Sequence, residues 1–506
     1  MAIEPTEDEP GTTPPGETRP SSRHSVGKNL RVMVASQVVT WSLAIVLTAV
    51  VPRYLGAQAV GELGLAVSLW ALAAVFIGFG TGSVITIDIA RGAKSFEADV
   101  RSANGLQCIM FVICFAVVVG YCKIVGYNDT IIALVVIAGA GAIFTAFGES
   151  ARSVFYGLER MTFPSSVDVV MKVIVLVFTI GILLLGGSVI ALAAGGALAA
   201  VVYCALMTIG LKRNVGLAVS PTRHGVRAMV RRAAPYIVVQ GVSVAYRQSD
   251  TIILSRYGGS TQVGFYAVSE SLLGALIMIP SIGLTAVFPA MSRVGSERPA
   301  DALRLVRRGM RMLVIFTVPI GLGVLVISDT IVRLLFGPQF ARSGPVVGAM
   351  GVVLTIMVPT ILVGNYATAM GRIHRWAVVT LIAIVVSIPL YIIFIPWTRH
   401  RFDNAALGTA IVFALTEFLI FFLALRVCAP DFFSRHVTTG CLKALAAGGL
   451  MVAATWSVRH RFVLIPIALG GLVYIGALLL LRTIDADERE NLRRVFNRVR
   501  SRLRPT

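Results

Sequence analysis

The sequence predicts an all-α membrane protein with about fourteen transmembrane helices, and three observations predict it. Apolar stretches of about 20 residues recur from Leu30 to Arg482, each long enough to cross a bilayer core of roughly 30 Å at ~1.5 Å rise per residue. Of the 506 residues, 56% are hydrophobic and 14% charged, which lies outside the range of soluble domains. The chain also repeats. Residues 37–69 align without gaps with residues 240–272, and ten of the 33 positions are identical where chance gives roughly three or four.

Residues 1–28 are acidic and rich in Pro, Thr and Ser, and bury too little to fold. They lack the basic n-region and short apolar core of a signal peptide, so they read as a disordered cytoplasmic tail. The spans then fall at approximately 30–51, 62–87, 104–122, 130–149, 165–186 and 188–211, which make a first lobe over 29–211. A basic linker, 212–233, leads to a second lobe over 234–427 with spans at 234–255, 264–288, 312–332, 345–369, 376–397 and 405–426. Two further spans, 438–456 and 462–482, lie in the appended segment 428–482. Six spans is an even number, so the two six-helix lobes are parallel and related by an axis along the membrane normal. Transporters that rock two lobes about a central site are built this way.

Orientation follows from charge. Of the 45 Lys and Arg residues, only Arg53, Lys123, Arg256, Arg333, Arg342, Arg399, Arg401, Arg459 and Arg461 fall on the far side, while Lys172 and Arg247 lie within spans. Both termini are therefore expected in the cytoplasm of a plasma-membrane protein. The densest clusters, from Lys212 to Arg232 and from Arg293 to Arg311, read as topology determinants and contacts for anionic lipid headgroups. In 483–506, Leu492, Val495, Phe496, Val499 and Leu503 fall at helical spacing among arginines, the pattern of a basic amphipathic helix on the inner leaflet.

Composition also excludes. The net charge of +20 sits in loops and tails without a nucleic-acid-binding motif, so nucleic acid is not an expected partner. The six cysteines and six histidines are dispersed without metal-ligand spacing, and no metal or cofactor is expected. Gly139-Ala140-Gly141, Gly195-Gly196 and Gly470-Gly471 lie within spans and read as close-packing surfaces rather than phosphate loops.

Function must then rest on the few polar residues inside the spans. Arg247 lies about 12 residues into its span, roughly 18 Å deep, where an ionised group costs roughly 2.5–3.5 kcal/mol and needs a polar cavity or a partner. Asp250 is one turn further along the same face. The repeat aligns Arg247 with Ala44 and Asp250 with Leu47, so the shared helix geometry requires neither charge. A mutual ion pair is the structural alternative to a substrate site. Lys172 with Asp168 one turn before it forms a shallower pair, for which a snorkelling lysine is the alternative. Glu270 and Glu417 are candidates for ion coupling or for balancing a cavity arginine. Gln37, Gln240, Gln248 and Asn365 are candidates for interhelical hydrogen bonds or substrate contacts. Pro280, Pro319, Pro359 and Pro389 lie well inside second-lobe spans, where each favours a kink.

The loop Arg53-Tyr54-Leu55-Gly56-Ala57-Gln58-Ala59-Val60-Gly61 has a repeat partner in Arg256-Tyr257-Gly258-Gly259-Ser260-Thr261-Gln262-Val263-Gly264. With Phe265-Tyr266-Ala267, Leu335-Phe336-Gly337, Ala369-Met370-Gly371-Arg372 and Ala406-Leu407-Gly408, these segments resemble the polysaccharide transporter (Wzx-type) branch of the MATE-like flippase superfamily. Lipid II flippases are its sister group. The resemblance covers residues 30–482 and implies flipping of a polyprenyl-pyrophosphate-linked glycan to the outer leaflet, with a glycan polymerase or assembly proteins as further partners. Three alternatives stand beside it: a cation-coupled small-molecule antiporter of the same superfamily, an envelope-assembly scaffold, and a membrane enzyme. The longest outer loop, near Phe336–Gly344, is too short for an enzyme site and lacks a paired acid and base.

Overall fold

The computed structural model describes residues 22–92, 96–217, 220–297, 299–432, 434–459 and 461–481, with side chains from 42 onward apart from 239, 279, 282–283, 285–290, 292–297, 299 and 436. The side chain of Gln37, most of the N-terminal tail and the 483–506 segment lie outside the described residues. Fourteen α-helices follow in order: α1 (Ser22–Gly78), α2 (Thr81–Ala90), α3 (Phe96–Val125), α4 (Asp129–Gly157), α5 (Thr162–Leu184), α6 (Val189–Val215), α7 (Val226–Gly258), α8 (Ser260–Glu297), α9 (Pro299–Phe336), α10 (Gly344–Ala369), α11 (Ile373–Phe402), α12 (Ala405–Cys428), α13 (Arg435–Trp456) and α14 (Leu464–Leu480). A 3₁₀ turn, Pro338–Ser343, joins α9 to α10, and no strand occurs among the described residues.

Ten helices among the described residues are long and apolar enough to cross a membrane. The correspondence with the expected spans departs at informative places. The first two spans meet without a loop between them: α1 comprises two helices that abut at Gly56, whose backbone angles are not helical. The second span is itself broken, because Phe79 (φ 47°) and Gly80 (φ 73°) turn left-handed and restart the chain as α2. Gly80 is needed there: a Cβ on it would lie 2.8 Å from the Tyr236 Cβ of α7. Helix α4 runs two turns past its expected end at 149, so Arg152 is a helical rather than a loop residue. Polar caps fix several starts. Asn128, Asn404 and Ser434 accept from the backbone N–H three residues on at the starts of α4, α12 and α13.

The sequence repeat has a counterpart in backbone geometry. Gly56 (φ 78°, ψ 170°) and Gly259 (φ 79°, ψ 175°) share one conformation, open essentially to glycine alone, and redirect the chain in each lobe. Just beyond each bend the lobes touch. A Cβ on Gly61 would lie 1.8 Å from Ser260 O, and one on Gly264 would lie 1.9 Å from Ala57 O. Ala57 aligns with Ser260 and Gly61 with Gly264, so α1 and α8 cross about the pseudo-two-fold axis with backbone against backbone.

Packing follows the two lobes. The first holds an aromatic cluster of Trp70, Phe111 and Phe115, with Gly139 leaving room for the Trp70 ring, and a second core around Phe155 and Met207. The second lobe has one core built on Tyr266, Tyr391, Phe336 and Phe340. Helices α13 and α14 pack on it through α9, where the Tyr474 hydroxyl donates to Ile315 O at 2.8 Å. Val112, Val117, Val177, Leu472 and Ile475 are exposed, as lipid-facing positions require.

Polar contacts between lobes gather at the two ends. At the Gly56 end, Arg53 donates to the carbonyls of Leu334 and Leu335 at the close of α9, and Gln339 donates back to Pro52 O (3.2 Å) and Arg53 O (3.1 Å). Tyr127 and Ser255 hydroxyls meet there at 2.7 Å. At the opposite end Arg232 of α7 pairs with Asp88 and Asp99 of the first lobe, and Ser102 Oγ donates to His224 O at 2.8 Å.

Candidate functional site

Ser243, Tyr246, Arg247 and Asp250 stand at the i, i+3, i+4, i+7 positions of α7, so one helical face carries all four. That face forms a wall of a cavity of about 170 Å³ in the second lobe. Glu270 of α8, Glu417 of α12 and Trp376 of α11 close it. The structure thus brings together four of the residues singled out from sequence: Arg247, Asp250, Glu270 and Glu417.

The ion pair between Arg247 and Asp250, the structural alternative to a substrate site, is not formed. Asp250 is 3% exposed and is held by Tyr266, whose hydroxyl donates to Oδ2 at 2.6 Å, and by Thr251 N, which donates to Oδ1 at 2.6 Å. Glu417, 4% exposed, accepts from the Tyr246 hydroxyl at 3.1 Å, and its Oε2 has no partner. The Tyr391 hydroxyl is likewise buried without a partner. Arg247 itself is exposed to the cavity and makes no hydrogen bond or ion pair among the described residues. Tyrosines on neighbouring helices hold Asp250 and one oxygen of Glu417, and Arg247 forms an ion pair with neither. Sequence reading missed Tyr246, Tyr266 and Tyr391, because tyrosine within an apolar span looks like packing until its partner is known.

A larger cavity of about 580 Å³ lies in the first lobe, between α1, α2, α3, α4 and α6, with Gln240 of α7 at its edge. Gln240 Nε2 stands 3.5 Å from Ser83 Oγ, the outer limit of a hydrogen bond. Near its rim, the expected pairing of Asp168 with Lys172 is replaced. Arg152 binds Asp168 and also Glu149, at 3.1 Å, while the Tyr203 hydroxyl donates to Glu149 at 2.6 Å. Arg152 reaches both carboxylates because α4 continues past the sequence boundary, a continuation that the i,i+3 spacing of Glu149 and Arg152 could have signalled. Lys172 is exposed and lines neither cavity; Gln248 and Asn365 are half-buried and line neither.

No group of three His, Cys, Asp or Glu placed to hold a metal ion occurs among the described residues. Chemically, the second-lobe cavity offers one guanidinium without an ion pair beside three carboxyls, of which Asp250 and Glu417 are buried. Ionised carboxyls would cancel the cation, whereas neutral ones would leave it available to an anion.

The family model for "Polysaccharide biosynthesis protein" matches residues 26–294, and the MatE family model matches residues 235–393. The chain is similar to the probable low-salt glycan biosynthesis flippase Agl15 of Haloferax volcanii, with 21% identity over 375 residues, covering 72% of this chain and 76% of that protein. Among solved structures it is similar to the lipid II flippase MurJ in an inward closed conformation, with a TM-score of 0.75 and 13% identity, covering 89% of this chain and 98% of that one. An inward-facing multidrug resistance MATE family transporter of the MOP superfamily gives a TM-score of 0.61 and 16% identity, covering 78% and 96%. The fold is that of these all-α, multi-pass membrane transporters. With more than half of its length matched by the family model, the chain belongs to the polysaccharide biosynthesis protein family.

Proposed function

We propose that the protein is a flippase that moves a polyprenyl-pyrophosphate-linked oligosaccharide from the cytoplasmic to the outer leaflet of the plasma membrane, for envelope polysaccharide biosynthesis. The observation that carries this reading is Arg247, a cation about two-thirds of the way along α7, exposed to a cavity and without an ion pair among the described residues. A guanidinium at that depth costs roughly 2.5–3.5 kcal/mol unless something compensates it. Its planar fork matches a phosphate's oxygens two at a time. Family membership and the similarity to a named glycan flippase supply the cargo class.

Asp250, Glu270 and Glu417 supply the coupling in this account. While ionised they hold the Arg247 charge and repel phosphate; a proton or cation bound among them frees Arg247 for the cargo. Loading of the coupling ion and of the anion are then linked, and each favours the other. Gln240 contacts the headgroup from the first-lobe side. Both termini are cytoplasmic by the distribution of Lys and Arg, which puts the Gly56 end outside. The Arg53, Gln339 and Gly61–Gly264 contacts then form the outer closure that must part for release.

The three carboxyls also favour a second reading, a cation-coupled antiporter for small cationic molecules, in which Arg247 is only a charge partner. One experiment separates the two. Arg247→Ala, expressed in cells lacking the native copy, should abolish glycan export and raise the pool of cytoplasmic lipid-linked glycan at normal protein abundance. Normal export together with altered resistance to cationic compounds would establish the antiporter instead.

A further inference from the structure

The first-lobe cavity has a lining unlike that of its counterpart. No Lys or Arg lines it among the described residues, so nothing there compensates a phosphate. Its polar surface is a set of neutral donors and acceptors. Gln107, 2% exposed, donates through Nε2 to Ser150 Oγ at 2.9 Å and Thr81 Oγ1 at 3.2 Å, while its Oε1 is buried without a partner. The break at Phe79 and Gly80 aims the first turn of α2 at the same space, with no side chain capping its N–H groups. Glu149 adds a carboxylate that is fixed by Arg152 and Tyr203 yet half-exposed on the cavity side. Trp70 supplies aromatic surface, with its indole N–H already donated to Val135 O at 2.8 Å.

These groups fit one ligand chemistry. An anion would find no uncommitted cation, because Arg152 is already shared between Glu149 and Asp168, and an alkyl chain would strand the α2 N–H groups away from water. A neutral polyol suits this lining, because each hydroxyl both donates and accepts. The volume, about 580 Å³, is within the roughly 300–1,000 Å³ of small-molecule sites.

We propose that the first-lobe cavity is a subsite for uncharged sugar residues, holding the glycan part of the cargo while the pyrophosphate lies at Arg247 in the second lobe. This rests on the flippase reading above and adds a division of labour to it: charge recognised by one lobe, hydroxyls by the other. The lobes would then be bridged by one cargo molecule, and both would have to be occupied before rocking.

The test uses full-length protein in nanodiscs with its six native cysteines replaced, carrying Thr145→Cys as reporter of the first-lobe cavity or Thr360→Cys as reporter of the second. Three probes are compared for slowing of maleimide labelling: the polyprenyl-linked lipid fraction of the protein's own host membranes, the free oligosaccharide released from it by mild acid, and synthetic polyprenyl pyrophosphate. At ~10 times its dissociation constant a probe should slow labelling about tenfold. The free oligosaccharide should protect Thr145→Cys alone, polyprenyl pyrophosphate Thr360→Cys alone, and the intact lipid fraction both. Gln107→Leu should weaken the first protection roughly two- to tenfold and leave the second unchanged; weakening of both equally would mean Gln107 serves only the fold. Ala142→Cys repeats the measurement from a second lining position should Thr145→Cys misfold. Protection of Thr360→Cys but never Thr145→Cys by the intact lipid would overturn the sugar subsite and leave the flippase reading standing. Protection of Thr145→Cys by polyprenyl pyrophosphate alone would also overturn it, since the cavity would then take lipid or phosphate. If the intact lipid fraction protects neither reporter, the flippase reading itself fails.

Discussion

Replacing Gly61 with Ala puts two effects of opposite sign in competition. Alanine is the better helix former by about 1 kcal/mol, and Gly61 has no left-handed backbone angle to protect, so an isolated α1 would be stabilised. The new Cβ, however, would stand 1.8 Å from Ser260 O of α8, where ordinary contact begins at 3.4 Å. The helices must part by about 1.6 Å, and overpacking of this kind typically costs 1–3 kcal/mol. That cost falls only on the state in which α1 and α8 touch. Packing therefore wins, and the population with this end apart should rise by roughly 5–150-fold. Gly264→Ala meets Ala57 O across the pseudo-two-fold at 1.9 Å and should act the same way, whereas Gly120→Ala, with nothing within 4 Å, should do nothing. Spin labels at the exposed positions Ile124 and Leu334, one in each lobe, report the separation. An unchanged distance distribution in Gly61→Ala, or opposite behaviour of the two glycine variants, would refute the reasoning.

Arg53→Ala removes both donations to the end of α9 and should destabilise the same closure by roughly 1–3 kcal/mol; disulfide cross-linking across that end should slow, and Gln339→Ala should reproduce part of the effect. Arg152→Ala leaves Glu149 and Asp168 facing each other without their cation. Because all three side chains are partly exposed, the loss should be about 1–2 kcal/mol, seen as a lower melting temperature in detergent and partly restored by adding Asp168→Asn. Cysteines at the exposed positions Tyr257 and Phe462 should react with an impermeant thiol reagent from outside, and those at Arg160 and His374 only from inside; the reverse pattern would invert the orientation.

Most of the fold was legible in the chain because a bilayer leaves few choices: backbone groups must pair within helices, so apolar stretches of sufficient length are helices. The repeat was legible because the glycines at 56, 61, 259 and 264 are held by backbone angles and backbone contacts that no other residue satisfies. The break at Phe79 and Gly80 was hidden, since it contains no proline and costs no hydropathy; the close approach of Tyr236 to Gly80 comes from another lobe. The site divides similarly. Arg247, Asp250, Glu270 and Glu417 announced themselves as charges at depth. Which of them pair could not be read, because it depends on the Tyr246 and Tyr266 hydroxyls reaching Glu417 and Asp250 first. Asp168 was read against Lys172, its neighbour on the helix, but the nearer partner is Arg152, which a longer α4 carries in from outside the expected span. Gln107 passed unnoticed because one amide in an apolar helix gives no hint of the cavity beside it.

The central claim is that this protein carries the headgroup of a polyprenyl-pyrophosphate-linked glycan past Arg247. The most direct measurement is flipping itself, in proteoliposomes loaded with the host's lipid-linked glycan. A glycan-cleaving enzyme added outside reads how much of the initially inner-leaflet pool becomes accessible. The account predicts time-dependent exposure with the wild-type protein and a rate roughly 10–100-fold lower with Arg247→Ala, the loss expected for one or two charge-assisted hydrogen bonds. Exposure at the same rate in Arg247→Ala, or none above protein-free liposomes with the wild type, would contradict it.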